Sequence, residues 1–72
     1  MNYKELGLSV LLYRKRHNLH QLPFATAAGM SRNYLVMIEK GHATGLSVEK
    51  LVDLARAMET DPRELLGILM SS

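Results

Sequence analysis

Residues 20–41 read HQLPFATAAGMSRNYLVMIEKG, the pattern of two short helices joined by a tight turn. Gly29 can adopt the positive φ that ends a helix and reverses the chain. Ser31 follows with a side-chain oxygen that can cap the free N–H groups of the next helix. The pattern therefore predicts one helix over residues 21–28 and a second helix over residues 32–40.

The second of these helices divides into two faces when its residues are placed at 100° intervals. One face is apolar apart from a single acid and is expected to pack on the core: Tyr34, Leu35, Ile38 and Glu39. The other face carries Arg32, Asn33, Val36, Met37 and Lys40. In the major groove of DNA, Arg can pair with guanine, Asn with adenine, and apolar groups can touch the thymine methyl. This face indicates a DNA-reading helix or a solvated amphipathic helix, and by itself it favours neither.

The same segment resembles the helix-turn-helix of the Cro/cI-type (XRE-like) DNA-binding domains. The matching positions are Leu19, Gln21, Ala25, Ala28, Gly29, Met30, Ser31, Leu35, Ile38, Glu39 and Gly41, with Phe24 in place of the usual Leu. The similarity covers nearly the whole chain; the further matches are Leu6, Gly7, Arg14 and the run SVEKLVDLA from Ser47. Two departures are His20, where the family usually has a Ser cap, and Leu22-Pro23, which replaces two usually polar residues.

The resemblance implies an all-α, five-helix, lambda-repressor-like fold that forms one domain over residues 1–72, with helices 2 and 3 as the helix-turn-helix. Recognition helices of this motif contact bases through their N-terminal residues. The implied base contacts are Arg32, Asn33 and Met37, and the implied contacts to the DNA backbone are Gln21, Tyr34, Lys40, His42 and Thr44. The resemblance also places Arg14 of helix 1 opposite Glu39, which predicts a buried ion pair between them.

The remaining helices follow from apolar spacing and capping residues. Helix 1 is predicted from Tyr3 to His17, with an inner face that consists of Leu6, Val10, Tyr13 and His17. Helix 4 is expected to begin after Ser47. Helix 5 is predicted from Arg63 to Met70, after a capping-box arrangement in the run Asp61-Pro62-Arg63-Glu64.

Two apolar groups exceed what a small domain is expected to bury. The first lies on helix 5 and is predicted to be divided between the core and a homodimer interface: Leu65, Leu66, Ile68, Leu69 and Met70. The second lies on the outer side of helix 1, at positions that are usually polar in relatives: Leu8, Leu11 and Leu12. This stripe is expected to be covered by helix 5, to join the dimer interface, or to receive a second protein.

The chain has 72 residues, 47% of them hydrophobic, and no cysteine, so disulfides and thiolate metal sites are excluded. Neither a membrane span nor a signal-peptide pattern is present, which predicts a cytoplasmic protein. The formal charge is only +2. Residues 1–42 carry six Lys or Arg and two acidic residues, whereas residues 43–72 carry three Lys or Arg and five acidic residues. The basic part of the chain therefore contains the predicted DNA-reading helix, and its positive charge favours contact with phosphates.

Other chemistries have little support. His17 and His20 flank a predicted helix break with no further ligand beside them, so no metal site is expected, and no catalytic spacing predicts an enzyme or a cofactor. The sequence predicts a homodimeric, sequence-specific regulator, a repressor or autoregulator, that binds a near-palindromic site in double-stranded DNA. The chain resembles both the controller proteins of restriction–modification systems and phage or plasmid repressors, and the sequence does not distinguish between them. The alternative is a protein-interaction module of the same fold, such as an antitoxin.

Overall fold

A computed structural model describes residues 1–71 of the chain, and this part consists of helices joined by short loops. The helices are α1 (Tyr3–Arg16), α2 (Gln21–Ala27), α3 (Arg32–Glu39), α4 (Val48–Ala57) and α5 (Pro62–Met70). This order confirms the predicted all-α, five-helix fold. Within the described residues, no helix is long and apolar enough to cross a membrane.

Side-chain caps explain where four of the helices begin. The Asn2 side chain accepts from the Glu5 N–H at the start of α1, and Ser31 and Ser47 cap α3 and α4 in the same way. Each cap satisfies a backbone N–H that has no partner inside its helix. The cap of α2, His20, makes no side-chain hydrogen bond, which agrees with its departure from the family's usual Ser.

The start of α5 differs from the predicted capping box. The Asp61 carboxylate accepts from the Arg63 N–H at 2.8 Å and pairs with the Arg63 guanidinium at 2.7 Å, so it binds Arg63 and not the N–H of Glu64. These hydrogen bonds from Arg63 lower the pKa of the Asp61 carboxyl from 3.8 to about 2. Pro62 is the first helical residue, the position that the run Asp61-Pro62-Arg63-Glu64 predicts for it, so the helix begins one residue before the predicted range.

Three helices were predicted one residue too long at their C-terminal ends. Helices α1, α2 and α3 stop at Arg16, Ala27 and Glu39, and the next residue in each case is a cap whose N–H still bonds back to the helix. His17 was also wrongly assigned to the inner face. It is exposed, because it follows the last helical residue, Arg16, as a cap with non-helical backbone angles, and its ring lies against that of Tyr13 with centroids 4.2 Å apart.

One apolar core joins all the helices. Its largest fully buried side chains are Leu6, Val10, Leu35, Leu54 and Leu65. Helix α1 packs against α3 on one side and α5 on the other, α2 packs against α3, and α4 packs against α5. The α1–α3 contact is very close, because a Cβ added at Gly7 would lie only 2.8 Å from the Glu39 carbonyl oxygen. Helix α1 thus fixes the position of α3.

Candidate nucleic-acid interface

The turn between α2 and α3 is held by hydrogen bonds at both ends. Gly29 has φ +67°, and the Met30 N–H bonds back to the Ala25 carbonyl at 2.9 Å. On the other side, the Ser31 hydroxyl accepts from the Tyr34 N–H at 3.1 Å. The Lys50 ammonium of α4 donates to the Gly29 carbonyl at 3.0 Å. The turn therefore has a defined geometry, and α4 stabilises it from outside the pair of helices.

Helix α3 has one buried and one exposed face. Leu35 and Ile38 are 0% and 2% exposed and belong to the core. The opposite face begins with Arg32 and Asn33 in the first turn and continues to Met37, all exposed. The side chains predicted to contact bases therefore lie together on the open face of the helix. Their types, a guanidinium, an amide and a thioether, are suited to base edges and to the thymine methyl.

A buried ion pair joins α1 to the C-terminal end of α3. Arg14 Nε donates to Glu39 Oε2 at 2.8 Å, and Arg14 Nη2 donates to Glu39 Oε1 at 3.2 Å. The two side chains are only 7% and 6% exposed. The remaining nitrogen, Arg14 Nη1, donates to the Leu19 carbonyl at 3.0 Å. The guanidinium thus connects α1, the segment before α2, and α3.

Gln21 is a third member of this cluster that sequence reasoning did not identify. Its Nε2 donates to Glu39 Oε1 at 3.2 Å, so one carboxylate oxygen accepts from both Arg14 and Gln21. This contact joins the first residue of α2 to the last residue of α3. It orients the Gln21 side chain at the edge of the helix pair, where a backbone contact to DNA was predicted. Among the described residues, no buried side-chain nitrogen or oxygen lacks a partner.

The other predicted backbone contacts are distributed between α3 and the loop that follows it. Tyr34 is half-buried with its ring against the core, whereas Lys40, His42 and Thr44 are exposed or partly exposed. Lys40 caps α3, and the other two lie in the loop before α4. Within residues 1–71, no group of three His, Cys, Asp or Glu side chains is placed to hold a metal ion.

A family model described as helix-turn-helix matches residues 10–65, which include α2, the turn, α3 and α4. The chain belongs to this helix-turn-helix family. The match covers well over half of the chain, which supports a DNA-binding role in transcription regulation.

Two solved structures share this helix-turn-helix fold. The restriction-modification controller protein C.AhdI from Aeromonas hydrophila superposes with a TM-score of 0.78 at 28% identity, over 89% of this chain and 91% of that one. The clp gene regulator ClgR from C. glutamicum gives a TM-score of 0.78 at 22% identity, over 99% of this chain and 95% of that one. Among curated protein sequences, none matches the chain significantly.

The helix-turn-helix protein exposes apolar side chains on α5. Leu65 and Leu69 are 1% and 3% exposed, so they belong to the core part of the predicted division between core and dimer interface. Leu66 and Met70 are 40% and 68% exposed, and Ile68 is half-buried. The division follows from helical spacing, since residues four apart lie on the same face.

The apolar stripe of α1 is covered only in part. Leu8 and Leu12 are 43% and 44% exposed, and Leu11 is half-buried. Helix α5 packs beside the stripe and leaves a groove of about 380 Å³ that Leu12 lines together with Ile68. Polar side chains also line this groove, so it is not a continuous apolar surface.

Proposed function

We propose that the protein binds a near-palindromic operator as a homodimer and regulates transcription by placing α3 in the major groove. The observation that carries this proposal is the open face of α3, where Arg32, Asn33 and Met37 lie together on a helix that the core holds from behind. Arg32 and Asn33 supply the base-pairing chemistry, and Met37 supplies an apolar contact. Gln21, Tyr34, Lys40, His42 and Thr44 position the helix by contacting phosphates, which carry no sequence information.

The kind of regulator is proposed from similarity. The 28% identical structure is that of a restriction-modification controller protein, and its chain length is close to that of this one. This supports a controller or repressor that acts through its DNA-binding domain. The structure of ClgR supports the fold alone, because that chain is only 22% identical.

The direct test is selection of bound duplexes from a random-sequence DNA pool at a stated salt concentration. A sequence-specific dimer is expected to enrich a near-palindrome with half-sites about 34 Å, one DNA turn, apart. The salt concentration has to be fixed, because the phosphate contacts make affinity strongly salt-dependent. Enrichment of no sequence over random DNA would remove the proposal.

Replacement of Arg32 by Ala and replacement of Lys40 by Ala are expected to weaken DNA binding in different ways. Arg32→Ala should relax the preference at one operator position and cost about 1–3 kcal/mol of binding free energy there, because a base contact is lost. Lys40→Ala should weaken binding to all sequences and reduce the salt dependence, because a phosphate contact is lost. Affinity for the operator and for random DNA, measured at several salt concentrations, separates the two effects.

Arg56→Ala is the matched control for this comparison. Arg56 is exposed on α4 and pairs with the neighbouring Asp53, so its removal subtracts the same charge from a helix other than α3. It should leave the base preference unchanged. If Arg32→Ala weakens operator and random DNA equally, as a simple loss of charge would, the base-reading role of Arg32 is wrong.

The homodimer is proposed from the exposed apolar side chains of α5. Replacing both Leu66 and Met70 by Glu should dissociate the dimer and leave the subunit folded, because neither side chain belongs to the core. Sedimentation should show a monomer, and affinity for the full operator should fall toward that for a half-site. A wild-type protein that is monomeric at tens of micromolar and binds single half-sites contradicts the dimer.

The parallel variant Leu8→Glu, Leu12→Glu tests the stripe of α1. Dissociation would assign the stripe to the dimer interface together with α5. An intact dimer that still binds DNA would leave the stripe free for a second protein, the antitoxin-like alternative, whose support is the exposure of these two side chains. Unfolding of the subunit would show that the stripe is needed for the core.

A further inference from the structure

The loop between α3 and α4 has no regular secondary structure and yet is fixed at several points. Ala43 is 5% exposed, and Leu46 packs against the core from the other end of the loop. Between these two apolar residues lie Thr44 and Gly45, both exposed. His42 precedes them and is exposed as well. The loop therefore presents Thr44 between two apolar attachments and His42 just before the first of them.

A hydrogen bond from Tyr3 holds the centre of this loop. The Gly45 N–H donates to the Tyr3 hydroxyl oxygen at 3.1 Å, across 42 positions of sequence. The other backbone hydrogen bonds of the loop, from Gly41 and His42, return to α3, the helix that the loop leaves. The Tyr3 hydroxyl thus connects the loop to a different helix, α1.

The first turn of α1 is itself firmly placed. Its cap, Asn2, accepts from the Glu5 N–H at 3.0 Å, and the Asn2 N–H donates to the Leu69 carbonyl of α5 at 2.6 Å. The Tyr3 ring packs against the core. A Cβ added at Gly41 would lie 2.9 Å from the Lys4 Cα, so α1 also touches the start of the loop. The hydroxyl that receives the Gly45 N–H is therefore carried on a rigid part of the molecule.

From this geometry we infer that Tyr3 is a positioning residue for DNA binding: its hydroxyl fixes the loop that presents His42 and Thr44 to the phosphates. The inference rests on the proposed function. A loop with one conformation before binding does not have to be ordered at the moment of binding, and this raises affinity without a new contact. Because the loop faces phosphates and not bases, Tyr3 affects all DNA sequences alike.

Tyr3→Phe tests this role, since it removes the hydroxyl and keeps the ring in the core. We expect a loss of about three- to tenfold in affinity for both operator and random duplexes, the scale of one hydrogen bond. The matched control is Tyr13→Phe, which removes a hydroxyl from another partly buried tyrosine of α1 whose ring packs on Phe24. The control should bind DNA like the wild type.

Two further measurements separate positioning from a general structural effect. In a His42→Ala, Thr44→Ala background, Tyr3→Phe should have no further effect on affinity, because the side chains through which Tyr3 acts are gone. A purely structural effect would persist there. Amide hydrogen exchange of Gly45, followed by NMR, should be faster in Tyr3→Phe than in the wild type, whereas the amides of α4 should be unchanged.

The outcomes distinguish this inference from the function on which it rests. If the wild type binds its operator and Tyr3→Phe binds equally well, the positioning role is overturned and the proposed function stands. Unchanged Gly45 exchange would also overturn it, because the hydrogen bond would then not protect the loop in solution. If the wild type selects no DNA sequence, the proposed function and the inference fail together.

Discussion

Glu39→Gln is expected to destabilise the protein by about 3–5 kcal/mol, the cost of removing one partner from a buried ion pair. The Arg14 and Glu39 side chains are 7% and 6% exposed, so water cannot replace the lost charge. A Gln amide can still accept one hydrogen bond but cannot neutralise the guanidinium. Domains of this size have about 5–15 kcal/mol in total, so thermal unfolding should occur tens of degrees lower or the variant should fail to fold.

The exposed acid Glu59 provides the control, since Glu59→Gln removes the same charge from the surface and should change the melting temperature little. A double variant, Arg14→Met with Glu39→Leu, should be more stable than either single replacement because no buried charge remains unpaired. Circular dichroism during thermal unfolding gives the melting temperature of each of these variants. A Glu39→Gln protein that melts with the wild type would mean that the pair contributes nothing.

The helices themselves could be predicted because their ends carry local signals. Ser31, Ser47 and Asp61 each cap the helix that follows, and Gly29 adopts the positive φ that its place in the pattern required. The predicted ends were off by one residue where a cap keeps a hydrogen bond to the last turn. Because such a residue keeps a backbone hydrogen bond to the last turn, the end of a helix is defined only to within one or two residues.

The contacts between helices were less accessible from the sequence. The Arg14–Glu39 pair was expected from family resemblance, and no spacing rule alone would have brought these residues together. The contacts of Gln21 with Glu39 and of Gly45 with Tyr3 join residues 18 and 42 positions apart and depend on the packed arrangement. Residues this far apart in sequence meet only after the helices have docked, so periodicity and capping rules carry no information about them.

Helix α5 shows the opposite case, in which the sequence contained the answer. Leu65 and Leu69 are four residues apart and share the buried face, and Leu66 and Met70 are four apart and share the exposed one. Helical periodicity is enough to separate these two pairs. The prediction divided the five apolar residues between core and interface without assigning each residue to a face.

Gly7→Ala is expected to cost about 3 kcal/mol or more, the upper part of the range for overpacking. A Cβ at this position would meet the carbonyl oxygens of Ile38 and Glu39, and its distance to the latter would be only 2.8 Å. These are backbone atoms of α3, so no side-chain rotation can relieve the contact. Helix α1 would have to move away from α3, which would also pull Arg14 away from Glu39.

Gly67→Ala makes the same chemical change but is expected to increase the stability of the protein. No heavy atom lies within 4 Å of a Cβ added at Gly67, and the residue is within α5. Ala is a better helix former than Gly by about 1 kcal/mol, so this variant should be slightly more stable than the wild type. Urea unfolding of the two variants compares them directly. If Gly7→Ala and Gly67→Ala both increased the free energy of unfolding, the close contact between α1 and α3 would be absent in solution. Helix propensity alone would then explain the effect of Gly7→Ala.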